Sequence, residues 1–133
     1  MKIADIEGLG PKYAEKLKKA GVRSVDALLK KGASEKGRKG LAAASGISDT
    51  LILEWVNLAD LYRIKGIGSE YSDLLEEAGV DTVAELAQRV PDNLFKKMQS
   101  IDAAKKLVRK LPGAKQVASW VAQAKKLPKI VTY

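Results

Sequence analysis

The chain lacks cysteine and histidine altogether, and it is poor in aromatics, with one Phe, two Trp and four Tyr. Without cysteine there is no disulfide, no thiol nucleophile, no iron–sulfur cluster and no thiolate zinc site. Without histidine there is no Ser-His-Asp triad, no imidazole acid or base and no histidine-bound zinc. Any catalysis would fall to carboxylates, Lys, Tyr or a hard metal ion, so the expectation is a protein that is not an enzyme. No cofactor and no resident metal is expected either. Scarce aromatics leave the core to Leu, Ile, Val and Ala, which favours helix packing.

What is present bounds the class. The 133 residues suit one domain or two small repeats, and 46% of them are apolar, enough for a sizeable core. The formal net charge is +8, which points toward polyanions. The opening stretch Met1-Lys2-Ile3-Ala4-Asp5-Ile6-Glu7 has no leader-like apolar region, with an acid by the fifth residue. No apolar run nears the roughly 18 residues of a membrane span. The expectation is a cytoplasmic protein with no membrane partner.

An internal repeat organises the chain. Residues 6–29 align with 64–87 at an offset of 58, with 10 identities in 24 positions. Among them are Gly8/Gly66, Gly10/Gly68, Tyr13/Tyr71, Leu17/Leu75, Gly21/Gly79 and Val22/Val80. Trp55-Val56-x-x-Ala59 returns as Trp120-Val121-x-x-Ala124 at an offset of 65, so the second copy carries seven extra residues. Coincident glycines and turn signals indicate two tandem copies of one helical unit, residues 1–60 and 61–133.

Caps and breakers set the elements. Pro11 suits the first turn of a helix stopping at Gly21. Ser24, Ser34 and Ser48 can each cap a following helix. In the second copy Ser69 starts a helix ending at Gly79. Thr82 and Glu85 form a capping box. Pro91-Asp92 opens another helix, a further one covers about 102–110, and a last one runs about 114–126. Only the tail Ile130-Val131-Thr132-Tyr133 has β character. The fold class is all-α.

The glycine turns carry the chemistry. Residues 3–17 read Ile3-x-x-Ile6-x-Gly8-Leu9-Gly10-x-x-x-Ala14-x-x-Leu17, and 61–75 repeat this with Gly66-Ile67-Gly68 and Ser72. Two glycines allow a tight turn with unusual backbone angles. The apolar residue between them plugs the core, and the small residue four places later permits close helix approach. Amides at the start of the following helix then point outward, where the helix dipole also favours an anion.

This pattern resembles the helix-hairpin-helix family of DNA repair, ligase and recombination proteins. The first copy matches every consensus position, including the Gly-x-Gly-Pro-Lys continuation from Gly8 to Lys12. The second departs at Ser72, where Ala is usual. Over nearly its full length the chain also looks like a group of tandem helix-hairpin-helix proteins of unknown function. The resemblance implies two such repeats packed into one compact globule. It also implies sequence-independent DNA binding, by hairpin amides that contact phosphates across the minor groove. Some members hold a monovalent cation with hairpin carbonyls. Other such units act only in packing or protein interaction.

Charge separates the two hairpins. Residues 12–40 carry ten basic and three acidic residues, 61–92 three basic and seven acidic, and 93–133 ten basic and one acidic. Glu70 stands where the first copy has Lys12, and Glu76 and Glu77 replace Lys18 and Lys19. A carboxylate there would repel a phosphate that Lys12 attracts. Gly8, Leu9, Gly10, Lys12, Lys16, Arg38 and Lys39 are therefore the candidate nucleic-acid contacts. Gly66, Ile67 and Gly68 are expected to be structural. If about five phosphates are neutralised, log K should fall with log salt at a slope of about −4 to −5.

Weaker candidates remain. Asp73 and Glu77 share a helix face and could hold Mg²⁺, although such acid pairs usually decorate solvated faces. Lys105-Lys106-Leu107-Val108-Arg109-Lys110 reads as a basic helix, most simply a solvated one. Trp55 and Trp120 read as equivalent core anchors. The leading expectation is a non-enzymatic module on the phosphate backbone of duplex DNA. The alternative is a protein-interaction or assembly module, adaptor or self-associating, that uses the acidic second repeat.

Overall fold

The computed structural model describes residues 2–133. Regular structure consists of one 3-10 turn and eight α-helices, with no strand among the described residues. The fold is all-α. The chain divides into two compact units, Met1–Asp60 with Ile130–Tyr133, and Leu61–Lys129.

In the first unit a 3-10 turn (Ile3–Asp5) leads through the glycine turn into α1 (Gly10–Lys19). Pro11 lies in its first turn, where a missing N–H costs nothing. Gly21, at φ +90°, ends it. Serine hydroxyls start the next three helices. Ser24 Oγ accepts the Ala27 N–H at 3.0 Å ahead of α2 (Val25–Lys31). Ser34 Oγ accepts the Gly37 N–H at 3.1 Å ahead of α3 (Glu35–Ser45). Ser48 Oγ accepts the Leu51 N–H at 3.3 Å ahead of α4 (Asp49–Leu61). Ile6, Leu9, Leu17, Leu28, Ile52 and Trp55 are among the buried residues of this unit.

The second unit follows the same plan with α5 (Ser69–Glu77), α6 (Val83–Ala87), α7 (Pro91–Lys105) and α8 (Ala114–Lys126). Its core gathers Ile64, Ile67, Leu75, Val80, Leu86 and Trp120. Residues 58 apart make equivalent bonds. The Leu9 N–H donates to Ile6 O at 3.0 Å and the Ile67 N–H to Ile64 O at 3.2 Å. Val22 N–H to Leu17 O and Val80 N–H to Leu75 O both measure 2.8 Å. Lys31 Nζ closes on Gly21 O at 3.1 Å, and the Arg89 guanidinium closes on Gly79 O at 3.0 Å. The tyrosine of each turn leans on the tryptophan of its unit, with ring centroids 5.0 Å apart for Tyr13–Trp55 and 5.2 Å for Tyr71–Trp120. Shared burial of these rings fixes where the glycine turn sits.

Four details differ from the sequence reading. No separate helix covers 102–110. α7 runs unbroken to Lys105, and Lys106 takes a left-handed conformation at φ 51°. Asp102 causes the break, because its Oδ1 accepts the Leu107 N–H at 2.8 Å and the Val108 N–H at 3.2 Å. Leaving the helix also spares Lys105, Lys106, Arg109 and Lys110 the repulsion of like charges one turn apart. The capping box is skewed. Glu85 N–H bonds Thr82 Oγ1 at 3.2 Å, but the Glu85 carboxylate accepts the Asp81 N–H at 3.0 Å. Gly68 is extended at φ −115°, whereas Gly8, Gly10 and Gly66 are all left-handed. The tail forms no strand. It packs with the first unit, with Val131 2% exposed and Thr132 N–H on Ala33 O at 2.7 Å.

Two glycines of α3 give opposite expectations. A Cβ at Gly37 would run into the Lys31 carbonyl, while one at Gly40 meets nothing within 4 Å. Alanine stabilises an exposed helical position by about 1 kcal/mol over glycine. Gly40→Ala should therefore raise stability by roughly that amount. Gly37→Ala should lower it by about 1–3 kcal/mol, because a backbone carbonyl must move. Urea unfolding of both variants checks this, and equal midpoints would contradict it.

Candidate nucleic-acid interface

The first glycine turn is open and uncapped. Gly8 and Gly10 lie at φ +77° and +70°, and a Cβ on either would meet nothing within 4 Å. Leu9 between them is 2% exposed and points into the unit. Leu9 precedes α1 and offers no side-chain cap. The α1 start thus differs from those of α2, α3 and α4, each closed by a serine. Among the described residues the amides of Gly8, Gly10 and Lys12 have no hydrogen-bond partner. Pro11 contributes no N–H. Lys12, Lys16 and Lys19 are exposed at helical spacings of four and three, so they line one side of α1. Lys16 Nζ stands 5.7 Å from the Tyr13 ring centroid, which holds its charge beside the turn.

The second turn is closed by its own unit. A Cβ on Gly66 would lie 3.0 Å from Trp120 Nε1. Gln123 of α8 grips Lys65 twice, accepting its N–H at 2.9 Å and donating to its carbonyl at 3.2 Å. Ile67 is buried, like Leu9.

The acidic face of α5 is also engaged within the unit. Glu70 Oε1 accepts the Arg109 N–H at 3.0 Å, and Glu70 Oε2 lies 3.4 Å from Arg109 Nε. Glu77 pairs with Lys105 at 2.7 Å, and Tyr71 Oη donates to Lys110 O at 2.9 Å. The irregular basic segment after α7 is thus laid along α5. No group of three or more acidic side chains able to hold a metal ion occurs among the described residues. No helix among them is long and apolar enough to cross a membrane.

Over residues 7–127 the sequence matches a family described as Domain of unknown function (DUF4332). The chain belongs to the DUF4332 family. Neither a curated protein nor a solved structure matches it.

One expected contact of this DUF4332 chain is otherwise employed, and a second is paired only at the surface. Arg38 is 5% exposed and bonds three carbonyls, Gly32 O at 2.9 Å, Ala33 O at 3.1 Å and Thr132 O at 2.8 Å. Its guanidinium also lies 5.7 Å from the Tyr133 ring. It ties the tail to the α2–α3 turn and has no free face for a phosphate. Lys39 is exposed but pairs with Glu35 at 3.1 Å. Lys19 was passed over in the sequence reading, although its spacing from Lys12 and Lys16 was the signal.

Two predictions follow from these side chains. Arg38→Ala removes three hydrogen bonds, leaves Gly32 O and Thr132 O without this donor, and should cost about 2–4 kcal/mol of stability. Tail proteolysis should accelerate, while polyanion binding by the folded fraction stays unchanged. Asp73 is held above the ordinary carboxylate range, first by burial and then by Glu77, against the opposing pull of Lys105. A raised folded value means the native chain binds the proton more tightly. The ionised group therefore weighs against folding at neutral pH. That weight lifts as pH falls through the raised value toward the unfolded one, near about 3.9. Asp73→Asn should raise the melting temperature at pH 7, with the gain vanishing near the unfolded value.

Proposed function

We propose that the chain is a tandem helix-hairpin-helix module that binds duplex DNA without sequence preference, through its first hairpin. The reading rests on one contrast above all. The first turn offers free amides at Gly8, Gly10 and Lys12 beside Lys12, Lys16 and Lys19, whereas the matching amides of the second turn stand beside the Glu70 carboxylate, with Trp120 and Gln123 packed against Gly66 and Lys65. A phosphate oxygen suits such a site, because amides and the helix dipole both favour an anion. Lysines add attraction without reading bases, so contacts fix position on the backbone and not sequence. Binding of this kind needs no catalytic group.

The amended contact set changes the salt expectation. With Arg38 tied to the tail, about four lysine–phosphate contacts remain, from Lys12, Lys16, Lys19 and the exposed Lys39, for a slope of about −3 to −4 in log K against log salt. Fluorescence titration of labelled duplex at several salt concentrations measures it. Lys12→Glu/Lys16→Glu should abolish binding at moderate salt while leaving the helical content unchanged. If the folded wild type does not bind at low salt, or the double variant binds equally well, the reading fails.

A further inference from the structure

A second feature of the first unit lies on another side of α1. A cleft of about 380 Å³ is lined by Ile3, Ala4, Pro11, Ala14 and Val22, with Glu15, Lys18 and Arg23 around it. Its lysine is Lys18, not one of the stripe formed by Lys12, Lys16 and Lys19.

The second unit shows what such a cleft accommodates. Ala4 corresponds to Tyr62 and Ala14 to Ser72 at the offset of 58. Tyr62 packs against the core of its unit, and its hydroxyl lies 3.3 Å from Ser72 Oγ. The phenol therefore reaches from one wall position to the other. Ser72 is 0% exposed, whereas Ala14 remains half-buried. Where the second copy supplies a tyrosine from its own chain, the first has a methyl group and open space.

The rims also differ in charge. Lys18 and Arg23 of the first copy correspond to Glu76 and Asp81 of the second. The open cleft thus has two cations at its edge. It also has one carboxylate, Glu15, next to Ala14, which can accept a phenol O–H.

We propose that this cleft receives a tyrosine side chain presented by an acidic segment of a partner protein. The ring fills the space that Tyr62 fills in the second unit. Its hydroxyl donates to Glu15, and carboxylates flanking the tyrosine meet Lys18 and Arg23. This site is separate from the DNA reading and stands or falls without it.

The test uses the full chain and the capped peptide Glu-Asp-Tyr-Asp-Glu, followed by methyl NMR. Saturable shifts are expected at Ile3, Ala4, Ala14 and Val22, with affinity in the millimolar range, about −4 kcal/mol at 1 mM. Replacing the peptide tyrosine by alanine should weaken binding at least about tenfold. Ala4→Tyr fills the cleft from within, as Tyr62 does, and should abolish the shifts while keeping the melting temperature and duplex binding. Lys18→Glu/Arg23→Glu changes only exposed side chains and should weaken the acidic peptide severalfold. The proposal is overturned if those methyls do not shift, if the alanine peptide binds equally, or if a folded Ala4→Tyr variant still binds. Self-association seen by light scattering in wild type and lost in Ala4→Tyr would also overturn it, by making the cleft a contact between copies.

Discussion

An apolar side chain driven inward between two residues that face solvent is the constraint on which each unit depends. Leu9 and Ile67 are buried, while the residues on either side return the chain to the surface. Only a sharp reversal permits this, and the positive φ of Gly8, Gly10 and Gly66 provides it. The buried Leu9 itself takes the N-cap position of α1, so no serine caps it as serines cap α2, α3 and α4. Exposed amides at the start of α1 are thus a by-product of burying Leu9. An anion that settles there exploits a cost the fold already bears.

The two copies share this constraint and resolve it differently. In the second unit Trp120 and Gln123 close over the turn, Tyr62 packs the adjoining wall, and Glu70 and Glu77 hold the segment after α7. Each of these contacts satisfies a group from inside the unit. The first unit has Glu7, Ala4, Lys12 and Lys19 where the second has Lys65, Tyr62, Glu70 and Glu77. Its turn and cleft stay open as a result. The second copy meets these groups from within its own unit, and the first leaves them open.

Much of the fold was legible in local chemistry. Serine and threonine caps and the glycine stops could be read because each acts within a few residues of itself, and the paired tryptophans because the repeat marks them. Failures came where a distant partner decided the outcome. Arg38 looked like a surface cation until a carbonyl 94 residues away claimed it. Glu70 looked like a free repulsive charge, yet its partner Arg109 lies 39 residues on. The helix expected over about 102–110 fails because the Asp102 carboxylate accepts the amides of Leu107 and Val108, a pairing that apolar spacing does not show. At the site, the glycines, Lys12 and Lys16 were legible from spacing. The closure of the second turn was not, because it depends on how α8 meets Gly66.

The bond from Arg38 to Thr132 has a bearing on synthesis. The first unit is discontinuous, since Ile130–Tyr133 join it from beyond the second unit. A ribosome therefore releases α1 to α4 long before the strand of tail that completes their hydrogen bonding. The second unit, Leu61–Lys129, is continuous and can settle while the first still waits. The unit made first is thus completed only after the second has been made, and the Arg38 guanidinium keeps a place for Thr132 until then.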